Sequence, residues 1–323
     1  MISKRESEII TLLKVFAIIG VVLIHTPKPT SVDYIKSLMD NITISCVPIF
    51  FLLSGFFLFR KEIERPSNAI FEIKKRIKTL FTPFVFWNAL ILILALIVLH
   101  FAPSLSKGGP YTINDVSFNT INKALWGIDR YPIHYQFWFI RNLMIFVLIS
   151  PIFKILLKKS PWFGIVLSFL LHQWISGAIF FYLGGIIITY SSSSILIVKK
   201  PLVTMGLSLA VFLTAIIIEI PQTVVLFASF SFFISLANFE KLSFALSGKN
   251  NSISNYVFFI YATHEPLMTF SNKIVNKIVK TTYPIEIVKF LVFPTIIILF
   301  SWFIGILLKK YFKMIYNFST GTR

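Results

Sequence analysis

Two polar residues interrupt the first apolar run of the chain, Lys14 and His25 in Leu12-Leu13-Lys14-Val15-Phe16-Ala17-Ile18-Ile19-Gly20-Val21-Val22-Leu23-Ile24-His25. On a helix their spacing amounts to about 1100°, about 20° past three full turns, so both lie on one face about 16 Å apart along the axis. A desolvated imidazole, with an ordinary pKa of about 6.5, suits the removal of a hydroxyl proton and can also carry a transferred group. An ammonium on the same face offers positive charge to an anionic group. The competing reading has Lys14 snorkelling to headgroups and His25 capping the end of the helix. A charge within hydrocarbon costs about 2.5–3.5 kcal/mol on insertion scales, so its retention there calls for a functional reason.

Other polar residues stand in apolar surroundings. Trp138, Arg141 and Asn142 share a helical face at i, i+3 and i+4. Tyr261, His264, Glu265 and Pro266 interrupt a later run, and a histidine with an adjacent acid in lipid is an unusual inclusion. Ser54 and Gly55, inside Phe50-Phe51-Leu52-Leu53-Ser54-Gly55-Phe56-Phe57, fit close helix packing as well as a site. The basic stretch Lys74-Lys75-Arg76-Ile77-Lys78 is interleaved with Ile70, Ile73, Ile77, Leu80 and Phe81 at helical spacing. That is the pattern of an interfacial helix, with anionic lipid as the plain partner and a polyphosphate as the functional one. His172 and Glu219 fall at run ends and read as interfacial.

These groups must be held by membrane-embedded helices. Of 323 residues 56% are hydrophobic and 14% charged, with a mean hydropathy of +0.81, which leaves too little polar surface for an ordinary soluble core. Apolar runs at about residues 9–25, 42–59, 80–101, 137–157, 161–174, 176–190, 202–219, 222–238, 253–270 and 286–308 predict an all-α polytopic bundle of about ten transmembrane helices. One membrane domain covers residues 1–323, with no separate soluble domain.

Lys4 and Arg5, the stretch Arg60–Lys78, Lys154 with Lys158 and Lys159, Lys199 with Lys200, and Lys309 with Lys310 and Lys313 fall on one side. The positive-inside rule makes that side, and both termini, cytoplasmic. Lys273, Lys277 and Lys280 oppose the pattern. Residues 102–136 form an outer loop by composition, with Trp126 and Trp138 as interfacial anchors near its end, and Ser191–Ser194 an inner turn. The net charge of +18 is distributed in short clusters rather than one patch, which argues against nucleic acid. The single Cys46 supports neither a disulfide framework nor a thiol metal site, and no small-residue cleavage site follows the first run, which reads as a retained span.

In order along the chain, Lys14 and His25 with ten residues between them, FFLLSGFF at 50–57, KKRIKTLFTP at 74–83, FWF at 137–139 and Tyr261-x-x-His264 resemble the acyltransferase-3 family of integral membrane acyltransferases. The likeness extends over nearly the whole chain. Lys14 departs from the more usual Arg, exchanging a planar fork for a point charge. The resemblance implies transfer of an acyl group, usually acetyl from acetyl-CoA, to a hydroxyl of a lipopolysaccharide O-antigen, exopolysaccharide or lipid-linked sugar at the cell inner membrane.

On that reading His25 is general base or acyl carrier, two roles the sequence does not separate. Lys14, Lys75 and Arg76 hold the donor, and Trp138, Arg141, His264 and Glu265 serve the acceptor. Acetyl-CoA is a substrate rather than a bound cofactor, no metal is required, and lipid and glycan are the other partners. A transporter or flippase for lipid-linked saccharide, or an export partner without chemistry, is the rival class, since intramembrane charges also mark substrate paths. No internal repeat between the halves supports it.

Overall fold

In the absence of water, every backbone donor and acceptor in a span must be satisfied within the segment, which leaves the helix as the form for these apolar runs. The computed structural model describes residues 3–27, 39–64, 69–101, 117–128, 131–190, 197–218, 221–239, 252–278 and 283–321. Its helices are α1 (Lys4–Ile24), α2 (Cys46–Glu64), α3 (Ala69–Phe101), α4 (Phe118–Trp126), α5 (Trp138–Lys159) and α6 (Pro161–Trp174). There follow α7 (Ala178–Tyr190), α8 (Pro201–Ile217), α9 (Gln222–Ala237), α10 (Val257–Ile278), α11 (Tyr283–Tyr311) and α12 (Lys313–Thr320). Among the described residues there is no strand. The protein is an all-α, multi-pass membrane protein.

The described residues of the ten apolar runs lie largely on helix. Five segments, Lys4–Ile24, Met39–Arg60, Ile70–Phe101, Tyr135–Lys159 and Ile285–Tyr311, are long and apolar enough to cross a bilayer by themselves. Local signals set several ends. Ser3 accepts from the Glu6 N–H while the Glu6 carboxylate accepts from the Ser3 N–H, a capping box that starts α1. Pro161 and Pro201 open α6 and α8, where a missing N–H costs nothing.

The bundle is tightened by small residues. An added Cβ at Gly55 of α2 would lie 1.9 Å from the Phe181 carbonyl oxygen, and one at Gly184 of α7 would lie 2.1 Å from that of Leu52. The two backbones therefore touch, and the Ser54-Gly55 pair takes the packing role that small residues have in membranes. Around this contact Phe51, Phe56, Phe59, Phe146, Phe153 and Phe181 form the aromatic centre of the core.

Two expectations are revised. The interfacial segment at 70–81 and the third span are one 33-residue helix, α3, because no breaker separates them and Pro83 is accommodated within. The outer segment 102–136 is not simply an exposed loop. It contains amphipathic α4, whose Trp126 stacks on Phe81 and Phe84 at 5.9 Å rather than anchoring freely, and Pro132, Ile133, His134 and Gln136 are buried. Amphipathic α12 tucks the chain's last described residues into the bundle, with Tyr316, Ser319 and Thr320 each 1% exposed. His25 ends α1, its ring neighbour His264 lies within α10, and His134 packs on Trp87 of α3. The Ser191–Ser194 turn, Glu219, Lys280 and residues 102–116 lie outside the described residues.

Replacing Gly55 by Val should destabilise the protein by about 1–3 kcal/mol or more through overpacking. Gly206→Ala, where an added Cβ meets nothing within 4 Å, should be neutral. Thermal midpoints of the two variants in detergent, compared with the parent, provide the measurement; equal midpoints would contradict the backbone contact.

Candidate active site

A proline organises the centre. Pro266 in α10 has no N–H, so the carbonyl four residues earlier, that of Ala262, lacks its helical donor. His134 Nε2–H donates to that oxygen at 2.8 Å, and the Gln136 side-chain amide donates to the Tyr261 carbonyl at 2.7 Å and to Ala262 at 3.3 Å. In return the Tyr261 hydroxyl donates to the Gln136 carbonyl, and Asn88 of α3 accepts from the His134 N–H at 3.0 Å. The turn Tyr135–Phe137 that opens α5 is thereby fixed to α10 and α3 on both sides of Tyr135.

Tyr135 so held presents its hydroxyl to His25, closest at Nδ1 and 3.3 Å from Nε2, with the two rings edge to face at 5.3 Å. His264 lies against the same imidazole, ring centroids 5.2 Å apart. Its Nδ1–H donates to Tyr261 at 2.7 Å, which puts the lone pair on Nε2, and that atom, fully buried, has no hydrogen-bond partner among the described residues. Glu265 is within electrostatic reach of Tyr135 and accepts from Thr269 at 2.7 Å. Two imidazoles and a phenol thus meet at one point, with a carboxyl in electrostatic reach, a set able to accept, hold and return a proton.

From His25 a cavity of about 660 Å³ runs down the face of α1 to Lys14, a volume ordinary for a small-molecule or cofactor site. Its lining includes His25, Gln136, Trp138 and Tyr261, together with Lys14, Glu72, Lys75 and Arg76, and apolar Phe50, Phe57 and Phe139 between. Lys14 holds its ammonium 4.9 Å above the Phe57 ring, inside the bundle, and Arg76 donates to the Phe57 carbonyl at 3.4 Å while interacting with Glu72. Cations therefore gather away from His25 along a mostly apolar tube.

Lys14, His25, Lys75, Arg76 and Trp138 thus share one cavity. Arg141 is elsewhere: it donates to the carbonyl of Gly127, the left-handed residue that ends α4 (φ +66°), and so braces that turn. His264 and Glu265 stand behind the cavity wall, His264 against His25 and Glu265 towards Tyr135. Tyr135, His134, Gln136 and Asn88 were not singled out from sequence. The first three directly precede the FWF phrase, but the stretch before them has a loop composition, and only tertiary contacts bury them.

The chain belongs to the acyltransferase-3 family: the family model, described as an acyltransferase domain, matches residues 8–309. It is also similar to succinoglycan biosynthesis protein ExoH of Rhizobium meliloti (strain 1021), 23% identical over 164 residues that cover 47% of this chain and 43% of ExoH. The match therefore spans less than half of that relative. No solved structure matches.

Tyr135→Phe removes the hydroxyl that meets His25 and leaves the ring packing intact. Acyl-transfer activity should fall about tenfold to a hundredfold, the loss of one hydrogen bond to a group that becomes charged. Initial rates at equal membrane abundance test this, and an unchanged rate would remove Tyr135 from the site.

Proposed function

We propose that this protein is an O-acyltransferase that moves an acyl group, most simply acetyl from acetyl-CoA, to a hydroxyl of a cell-surface glycan or lipid-linked sugar. The observation that carries the proposal is the single cavity lined by His25 at one end and by Lys14, Lys75 and Arg76 at the other. Membership of an acyltransferase family supports the reaction class, and the similarity to a succinoglycan biosynthesis protein favours a polysaccharide acceptor.

The chemistry follows from the parts. The imidazole of His25 takes the acceptor hydroxyl's proton as the oxygen attacks the thioester carbonyl; the C–S bond then breaks, and the proton leaves with the thiolate as CoA thiol. In the relay variant the imidazole nitrogen first displaces CoA thiolate, and the acceptor oxygen then takes the acyl group from the ring, its proton passing by way of the freed imidazole to leave with the thiolate as CoA thiol. Tyr135 orients the imidazole in either route, and the lone pair on His264 Nε2 faces a neighbourhood in which His25 gains charge. Lys14, Lys75 and Arg76 supply positive charge to the donor's phosphates; Lys14 acts as a point charge rather than a fork.

The reach is suitable. Lys14 and His25 are about 16 Å apart by helical rise, and an extended pantetheine arm is about one to two nanometres long on the reach of an extended chain. Donor nucleotide and thioester can occupy opposite ends without CoA crossing the bilayer. The positive-inside rule directs the cationic end to the cytoplasm, where acetyl-CoA is made, and the His25 end outward, in a cytoplasmic (inner) membrane.

His25→Ala should lower acetylation by about a hundredfold to ten-thousandfold at normal membrane abundance. Retained activity in that variant would sink the mechanism. Lys14→Arg should keep most acetyl-CoA binding and Lys14→Met should lose it, as read by equilibrium binding of radiolabelled acetyl-CoA; equal affinities would return Lys14 to a snorkelling role. The orientation is tested by cysteine labelling in a Cys46→Ser background at two exposed positions. Cysteine at Lys74 should react from the cytoplasmic side and cysteine at Ile128 from the outer side, and the reverse pattern would invert the route.

A further inference from the structure

A second cavity, of about 350 Å³, adjoins the first and shares Trp138 and Val47 with it. It is formed where the leading ends of α2, α5 and α9 meet the turn between α6 and α7. α9 runs antiparallel to α1, since Arg5 at the start of α1 donates to the Asn238 carbonyl that closes α9. The leading end of α9 therefore lies at the His25 end of α1, and the second cavity lies on the reactive side of the site, away from the cations.

We propose that this second cavity is the acceptor subsite and that it takes an uncharged pyranose ring, the hydroxyl to be acylated reaching past Trp138 towards His25. The inference rests on the acyltransferase reading and names the acceptor's chemical class. Three features carry it.

The first is charge. Among the described residues the lining holds no Lys, Arg, Asp or Glu, whereas the donor end of the first cavity holds Lys14, Lys75, Arg76 and Glu72. A phosphate or carboxylate would find no cationic partner among them, whereas a neutral polyol needs none.

The second is the pairing of surfaces. Trp138, Phe51 and Phe180 line the cavity together with the neutral polar residues His172, Ser176 and Gln222. A pyranose has the same division, with C–H faces and a rim of hydroxyls, and pockets with a few placed polar groups on an apolar wall select such ligands.

The third is that one polar group is fixed in advance. The Gly177 N–H donates to Nδ1 of the lining residue His172 at 2.9 Å, so the ring proton is on Nε2. That geometry needs glycine: φ at Gly177 is +102°, and a Cβ there would lie 2.4 Å from the Phe51 ring. Asn142 secures the same turn by donating to the Ser176 carbonyl at 3.0 Å. His172, at the end of its apolar run, is thus a donor fixed in its tautomer.

The test uses the purified full chain in detergent with radiolabelled acetyl-CoA, and octyl glucoside, octyl galactoside and octyl glucuronide as acceptor probes. The neutral glycosides should be acetylated, and the glucuronide should have a KM at least tenfold higher. Gln222→Leu with Thr223→Val, and separately Thr223→Trp to fill the cavity, should each raise KM for the neutral glycosides about tenfold or more, the loss of one or two hydrogen bonds or of space. His172→Phe should do the same. Acetyl-CoA affinity should be unchanged in all of them, which certifies folding. Unchanged KM in the variants overturns the subsite, as does equal or better use of the glucuronide. A parent enzyme that turns over acetyl-CoA but acetylates none of the glycosides also overturns it, and one that neither binds nor turns over acetyl-CoA overturns the acyltransferase reading beneath it.

Discussion

The carbonyl oxygen of Ala262 governs the arrangement of the centre. Once Pro266 deprives it of a helical donor, a buried acceptor must find a partner elsewhere, because an unsatisfied one costs about 1–3 kcal/mol. His134 and Gln136 supply it, and in doing so they draw the turn before α5 against the middle of α10. Tyr135, between them in sequence, has little choice of position, and it meets His25. A break in one helix thus positions a hydroxyl on another against an imidazole on a third. Because the donors are themselves buried, the coupling is rigid and poorly tolerant of water.

The solvent explains the rest of the scaffold. Lipid offers no hydrophobic force between helices, so contact depends on close backbone approach and on polar links. The Gly55 and Gly184 contacts serve the first need, and Ser45 hydrogen-bonded to Ser229 at 2.7 Å and Thr263 donating to Ser301 at 2.9 Å serve the second.

Much of this was legible in the chain. Apolar run length located every major helix, since in lipid that signal is strong and needs no tertiary information. The Lys14 and His25 spacing described a shared face because a straight helix converts sequence distance to angle without ambiguity. What was hidden depended on partners distant in sequence. His134 and Gln136 look like loop residues until the Ala262 carbonyl requires them, and α12 is short and half polar, so periodicity in an apolar chain passes over it. Arg141 shares a helical face with Trp138 at i+3 in sequence, yet the positive-φ carbonyl of Gly127 takes its guanidinium, a contact no spacing rule contains.

The distribution of charge ties these observations together. A cation at mid-helix in a membrane protein is costly wherever it faces lipid, and Lys14 avoids that cost by turning into a cavity that already holds Arg76 and Lys75. Among the described residues that line it, Lys14, Lys75 and Arg76 share one end with Glu72, a grouping that favours an anionic ligand. At the other end His25 lies beside His264 and Tyr135, with Glu265 in electrostatic reach of Tyr135. The apolar wall from Phe57 to Phe139 separates these two environments, so one cavity has two chemically different ends.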